Sequence, residues 1–191
     1  MATSGDLAKA LSELLNEPFS TVDLYGRHLR AAGLLHIKGH GRGAAEMTAR
    51  DAAVWLIALA IDHERGGDFA KEVKRVLDLP MHDQLNPNGY ADDLTYLSAK
   101  TAGHGLALFI GDMLVPRIKE RLERDDDLVT ANFDADGVFV SLSIFDRPPD
   151  EVAALLYQRG ERKRRDVERL TVIHGRVLLE IARLLDLKPP A

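Results

Sequence analysis

Asn16-Glu17-Pro18 is the feature that most restricts the fold, because it breaks the chain between two stretches of helical apolar spacing and leaves only three residues in which to turn. Upstream, Leu7, Leu11, Leu14 and Leu15 predict a helix over residues 6–16, with Ser4 or Asp6 available as its cap. Downstream, Ser20 or Thr21 can cap a second helix whose Val22, Tyr25 or Gly26, and Leu29 face inward. Thr21, Asp23, Leu24, Arg27 and His28 then project outward. Gly33 ends this helix, since glycine enters the left-handed conformation at little cost. Gly26 stands at an interior helical position, where glycine costs roughly 1 kcal/mol relative to alanine. Close approach of the first helix is the expected reason for it.

The next segment is read as a hairpin. Leu34 to Lys38 predicts a short strand, Gly39, Gly41 and Gly43 a turn, and Ala44 to Met47 the returning strand. Thr48 followed by Asp51 has the spacing of a capping box for a helix through Ala52, Trp55, Leu56, Leu59 and Ala60, expected to end near His63-Glu64-Arg65-Gly66-Gly67. Its apolar surface covers more than half the circumference, so it must be sandwiched within its own domain or against a second subunit. The Gly66-Gly67 pair marks the expected boundary between two domains, residues 1–66 and 67–191. Asp68 can cap a further helix through Phe69, Val73, Val76 and Leu77.

Residues 79–93, with Pro80 and Asn86-Pro87-Asn88-Gly89, read as loop. A long helix or helix pair is expected from about Leu94 to Arg124, interrupted by Gly103 and Gly105 and bent near Pro116. Leu128 to Phe133 and Val138 to Phe145 form a β-hairpin around Asp134-Ala135-Asp136-Gly137. Val152 to Tyr157 reads as an apolar helical piece and Val167 to Ile173 as a third strand, with a continuous helix from Asp166 as the alternative. Gly175 starts a final helix through Leu178, Leu179, Ile181 and Leu184. The fold class expected is α+β and predominantly helical, with an antiparallel hairpin in the C-terminal region.

Charge narrows the function. The chain carries −5 overall, which argues against a surface that coats nucleic acid everywhere. Between Tyr25 and Arg50, however, Arg27, Arg30, Lys38, Arg42 and Arg50 face a single acid, Glu46, giving +4 before His28, His36 and His40 are considered. With no cysteine there is neither a disulfide framework nor a thiolate metal site. The N-terminus lacks the basic and apolar regions of a secretory signal and no apolar run is long enough to span a bilayer, so a cytoplasmic protein without a membrane partner is expected.

Catalytic patterns are poor. His63-Glu64 lacks the second histidine of a zinc-protease helix, His36 and His40 have no carboxylate nearby in sequence, and no serine sits in a nucleophile elbow. His82, His104 and His174 are scattered, and the acidic run from Glu123 to Asp127 reads as a solvated helix end. The wing glycines lack the spacing of a dinucleotide fingerprint, so no cofactor is expected and the chain reads as non-enzymatic. The cluster Arg162-Lys163-Arg164-Arg165, flanked by Glu161 and Asp166, reads as a solvated face with flanking phosphate contact as its alternative.

Asp6-Leu7-Ala8 through Leu11, Ser20-Thr21-Val22 through Leu29, and Ala32-Gly33-Leu34-Leu35 together resemble the helix-turn-helix of the bacterial winged-helix superfamily. The likeness covers the first third of the chain, and the helix from Thr48 stands in for the one that ordinarily precedes the pair. It implies double-stranded DNA as partner, with the second helix in the major groove and the wing against backbone or minor groove. The face so implied comprises Ser20, Thr21, Asp23, Leu24, Arg27 and His28, with Arg30 beside it and Lys38, His40 and Arg42 on the wing. One such unit has a small footprint, so a homodimer is expected, joined through the helix around Trp55 or the C-terminal region, which alternatively receives a protein partner. Proteins of prophages are similar in style, both regulators and packaging proteins. The functions implied are a sequence-specific transcriptional regulator, a phage-type packaging or recombination accessory protein, or a protein-interaction module without DNA binding.

Overall fold

The structure, a computed structural model, describes residues 2–36, 45–61, 68–85, 94–124, 129–134, 139–146, 150–158 and 170–189 of the 191-residue chain. Thr3 opens the first helix, α1 (Ser4–Leu15), with a reciprocal box: its hydroxyl accepts from Asp6 N–H, and the Asp6 carboxylate accepts from Thr3 N–H at 2.8 Å. The cap is therefore one residue before the earlier of the two expected. Asn16 ends α1 in the left-handed region at φ 53°. Pro18, with φ near −57°, launches α2 (Phe19–Ala31). Ser20 and Thr21 thus lie inside the first turn and cap nothing, because proline already supplies the entry geometry. Val22, Gly26 and Leu29 are buried as expected, and Gly33 follows at φ 70°.

Thr48 and Asp51 form the predicted capping box at the start of α3 (Ala49–Ala60). Every residue from Asp51 to Ala58 is buried, so the helix is sandwiched inside its own chain and ends at Ala60, short of the expected stop. Its Trp55 face is consequently no dimer surface. Asp68 caps α4 (Phe69–Leu77), whose buried side is Val73 and Val76. The boundary expected at Gly66-Gly67 lies outside the described residues. Side chains from both sides of it share one core: α3 packs on α4 and α5, and the Thr171 hydroxyl donates to the Ala60 carbonyl at 2.8 Å.

Residues 81–85, expected to be loop, are strand β1 (Met81–Leu85). The expected long helix is split into a 3-10 turn (Thr95–Ser98), α5 (Ala102–Asp112) and α6 (Pro116–Arg124). Pro116 starts a helix rather than bending one, as suits a residue with no N–H to donate. Gly103 and Gly105 sit within α5 instead of breaking it. The hairpin is present as β2 (Val129–Asp134) and β3 (Phe139–Asp146). Val152 to Tyr157 belongs to strand β4 (Asp150–Gln158), not to a helix. The strand reading of residues up to Ile173 holds in β5 (Leu170–His174), and α7 (Gly175–Leu184) follows as expected.

Among the described residues the five strands form one antiparallel sheet in the order β1-β4-β3-β2-β5. The protein is thus a mixed α+β fold, with a larger sheet than a hairpin alone. A run such as Ala153-Ala154-Leu155-Leu156 has no period that separates helix from strand. Its state is decided by neighbours, since β1 and β3 pair with the two edges of β4. Register places Ala131 opposite Leu142 and Ile173, and Phe133 opposite Val140, which itself faces Tyr157. These side chains form the sheet's buried face, against which α3, α5 and α7 pack. The helices α1, α2 and α4 lie beyond, α2 and α4 against α3, and α1 against α2 and α7.

Gly26 fixes how α2 meets this core. A Cβ there would overlap Cζ2 of Trp55 and stand 2.8 Å from Cη2. The close neighbour is therefore the indole of α3, not the first helix. Trp55 Nε1 donates to the Val22 carbonyl at 3.2 Å, one turn before the glycine. Gly26→Ala should destabilise in urea unfolding, because overpacking costs about 1–3 kcal/mol and exceeds the gain of up to ~1 kcal/mol in helix propensity. Gly111→Ala, in α5 with nothing within 4 Å of the added methyl, should stabilise by up to ~1 kcal/mol.

Candidate nucleic-acid interface

Anchored from behind by Trp55, α2 turns the opposite side outward. Ser20, Leu24, Arg27 and His28 are exposed, while Thr21, Asp23 and Arg30 are half-buried. The connection from α1 is held tightly: Ser12 Oγ donates to the Glu17 carbonyl at 2.7 Å, and Glu17 N–H donates to the Ser12 carbonyl at 3.0 Å. Such bonds set α2 against α1 with a short, defined turn.

Asp23 is the electrostatic centre of this face. Its carboxylate lies 3.2 Å from Arg27 Nε and 4.0 Å from Arg30 Nη2. The Arg27 side chain is 62% exposed, and pairs of that kind contribute about 0–1 kcal/mol. A pair this weak leaves the Arg27 guanidinium accessible at the surface. His28 meets Phe69 of α4 in a tilted contact with ring centroids 5.8 Å apart, and Tyr25 meets the same ring at 4.9 Å. The imidazole of His28 is thereby steadied by α4, a contact invisible in the local sequence. Phe19 and Leu24 add exposed apolar surface at the start of the helix.

The predicted wing is not found on either described flank. Residues 34–36 and 45–47 form no strand, and Lys38, His40 and Arg42 lie outside the described residues. The flanks are tied elsewhere. Met47 N–H donates to the Ala2 carbonyl at 2.9 Å, and His36 is bound to α3. Backbone hydrogen-bonding capacity spent on these contacts is not available to a ladder between the flanks.

The contact that sequence reasoning missed is the one between Asp51 and His36. Although His36 has no carboxylate near it in sequence, its N–H and its Nδ1 both lie 3.0 Å from Asp51 Oδ1. Thr48 N–H and hydroxyl donate to Oδ2 at 2.9 and 2.7 Å. Burial by itself would raise the Asp51 pKa, but the hydrogen bonds from Thr48 and His36 outweigh it and hold the carboxyl below the ordinary aspartate value. A buried carboxylate that keeps its charge ties the root of segment 37–44 to the first turn of α3. The signal available was the capping box itself, which announces an aspartate but not its second partner.

Of the other candidates, His63-Glu64, Asp125 to Asp127 and Arg162 to Arg165 lie outside the described residues. Among the described residues, no group of three or more His, Asp or Glu side chains is placed to hold a metal ion, and no helix is long and apolar enough to cross a membrane. Comparison with protein-family models, curated proteins and solved structures finds no match for this chain.

Asp51→Asn should lower stability at neutral pH by about 1.5–3 kcal/mol, the range for hydrogen bonds to a charged group. Because the folded pKa is depressed, the carboxylate's contribution is complete above the unfolded value near ~4 and disappears as pH falls through the folded one. The parent's acid unfolding, followed by circular dichroism, should therefore show a proton-uptake step that the variant lacks.

Proposed function

We propose that the protein is a non-enzymatic, sequence-specific binder of double-stranded DNA, a transcriptional regulator that presents the outward face of α2 to the major groove. The observation that carries this is the exposure of Ser20, Leu24, Arg27 and His28 on one side of a helix whose other side is clamped by Trp55. A rigid support lets base-edge contacts discriminate, because the side chains start from fixed positions. Arg27 would reach guanine once released by Asp23. Lys38, His40 and Arg42 would supply the sequence-independent phosphate contacts that give salt-dependent affinity. Two copies, joined through the C-terminal region, would read a symmetric site. A protein-interaction role for the same face is favoured by one observation, the exposure of Phe19 at 51% and Leu24 at 43% on its first turns.

The two readings respond differently to charge. A duplex selected from a random library, labelled and titrated with protein, should lose discrimination among sites when Arg27 is replaced by alanine, by roughly 5- to 150-fold against the preferred site. Arg42→Ala should weaken all duplexes alike. Asp23→Ala should tighten binding, since it frees both arginines and removes a charge that repels phosphate. Parental binding by both arginine variants would overturn the assignment of this face to DNA, and absence of salt-dependent duplex binding by the parent would favour a protein partner.

A further inference from the structure

Three helices meet without closing on one another at a cleft of about 290 Å³. The space lies near the lower end of the ~300–1,000 Å³ typical of small-molecule sites. Backbone bonds hold its shape: Ala102 N–H donates to the Leu79 carbonyl and Met81 N–H to the Lys100 carbonyl, each at 2.9 Å. Gly103 sets its depth. A Cβ there would stand 2.6 Å from Leu77 Cδ2 and 3.2 Å from the Leu77 carbonyl, so only glycine lets α4 and α5 approach this closely.

The lining is mixed in chemistry. Leu34, Leu77 and Ala107 contribute apolar surface. Beside them are Arg50 from the first turn of α3, Thr101 before α5 and His104 in its first turn, the last one turn from Ala107 on the same helix. Lys74 and Asp78 both border the space as well, the ammonium 3.1 Å from the carboxylate, and the two charges offset each other. Arg50 is left as the net charge. The Arg50 and His104 side chains are solvent-exposed and make no hydrogen bond or ion pair among the described residues. The Thr101 side chain makes no capping bond, whereas Thr3, Thr48 and Asp68 all cap their helices. Arg50, Thr101 and His104 thus bring three side-chain donors without a protein partner to the lining of one pre-shaped space that also offers apolar surface. A guanidinium fork, a hydroxyl and an imidazole suit a tetrahedral oxyanion, which accepts from several directions at once.

We propose that this cleft binds a small organic phosphate monoester, its phosphate against Arg50, Thr101 and His104 and its organic part against Leu34, Leu77 and Ala107. The site is separate from the outward face of α2, and DNA is absent from its test. Phenyl phosphate titrated into the full chain, followed by amide ¹H–¹⁵N spectra, should give saturable shifts centred on Gly103 and His104. Arg50→Ala should weaken this roughly tenfold or more, the loss expected for a charge-assisted contact, and Thr101→Val should weaken it less, both with parental circular dichroism. Arg27→Ala should bind as the parent does. Inorganic phosphate should bind more weakly than phenyl phosphate, because it leaves the apolar surface uncovered, and benzoate should bind more weakly because it offers a flat monoanion. Failure to saturate at millimolar ligand, shifts centred elsewhere, or unchanged affinity in Arg50→Ala would each overturn the proposal. Benzoate binding as tightly as phenyl phosphate would overturn the choice of phosphate.

Discussion

Burial of α3 on every side is the constraint from which the other packing follows. A helix with residues 52–58 at 0% exposure needs partners all round, and the chain supplies them from both sequence directions. Helices α2 and α4 pack on it from the outer layer, while α5 and strand β2 of the sheet pack on it from within. At Trp55 the covering is close, because α2 can reach it only across the missing side chain of Gly26. That single contact determines which residues of α2 are turned outward, and so which chemistry the helix offers to a partner.

What could be read from the chain was what short-range chemistry decides. The box at Thr48-Asp51 is completed within three residues, and period alone declares the inward side of α2 through Val22 and Leu29, with Gly26 one of two candidates between them; the box of α1 is equally local but opens at Thr3, one residue before the expected Ser4. The β2–β3 hairpin is likewise local. Strand β4 escaped detection because its middle consists of alanines and leucines, which serve helix or strand equally well and are assigned only by the ladders on either side. Strand β1 escaped for a different reason: Met81-His82-Asp83-Gln84 is an exposed, polar edge, recruited by backbone pairing rather than by its side chains.

The candidate interface divides along the same line. Its outward residues on α2 follow from helical period and appear where expected, whereas the attachments that steady them come from far along the chain. Phe69 meets His28 from α4, and Asp51 takes up His36 from α3. Neither partner has a periodicity that points to the other. The strands of the expected wing are absent from its described flanks because those flanks have stronger commitments: one to the buried carboxylate, the other to the backbone of Ala2.

The packing of α1 against α7 has a consequence for biosynthesis. Helix α1 is synthesised about 160 residues before α7, so on the ribosome the side of α1 that packs on α7 stays uncovered until α7 has emerged. Non-local closure of this sort slows folding relative to proteins whose contacts are near in sequence. A nascent chain with its earliest hydrophobic segment waiting is a natural client for chaperones that hold exposed apolar helices during translation.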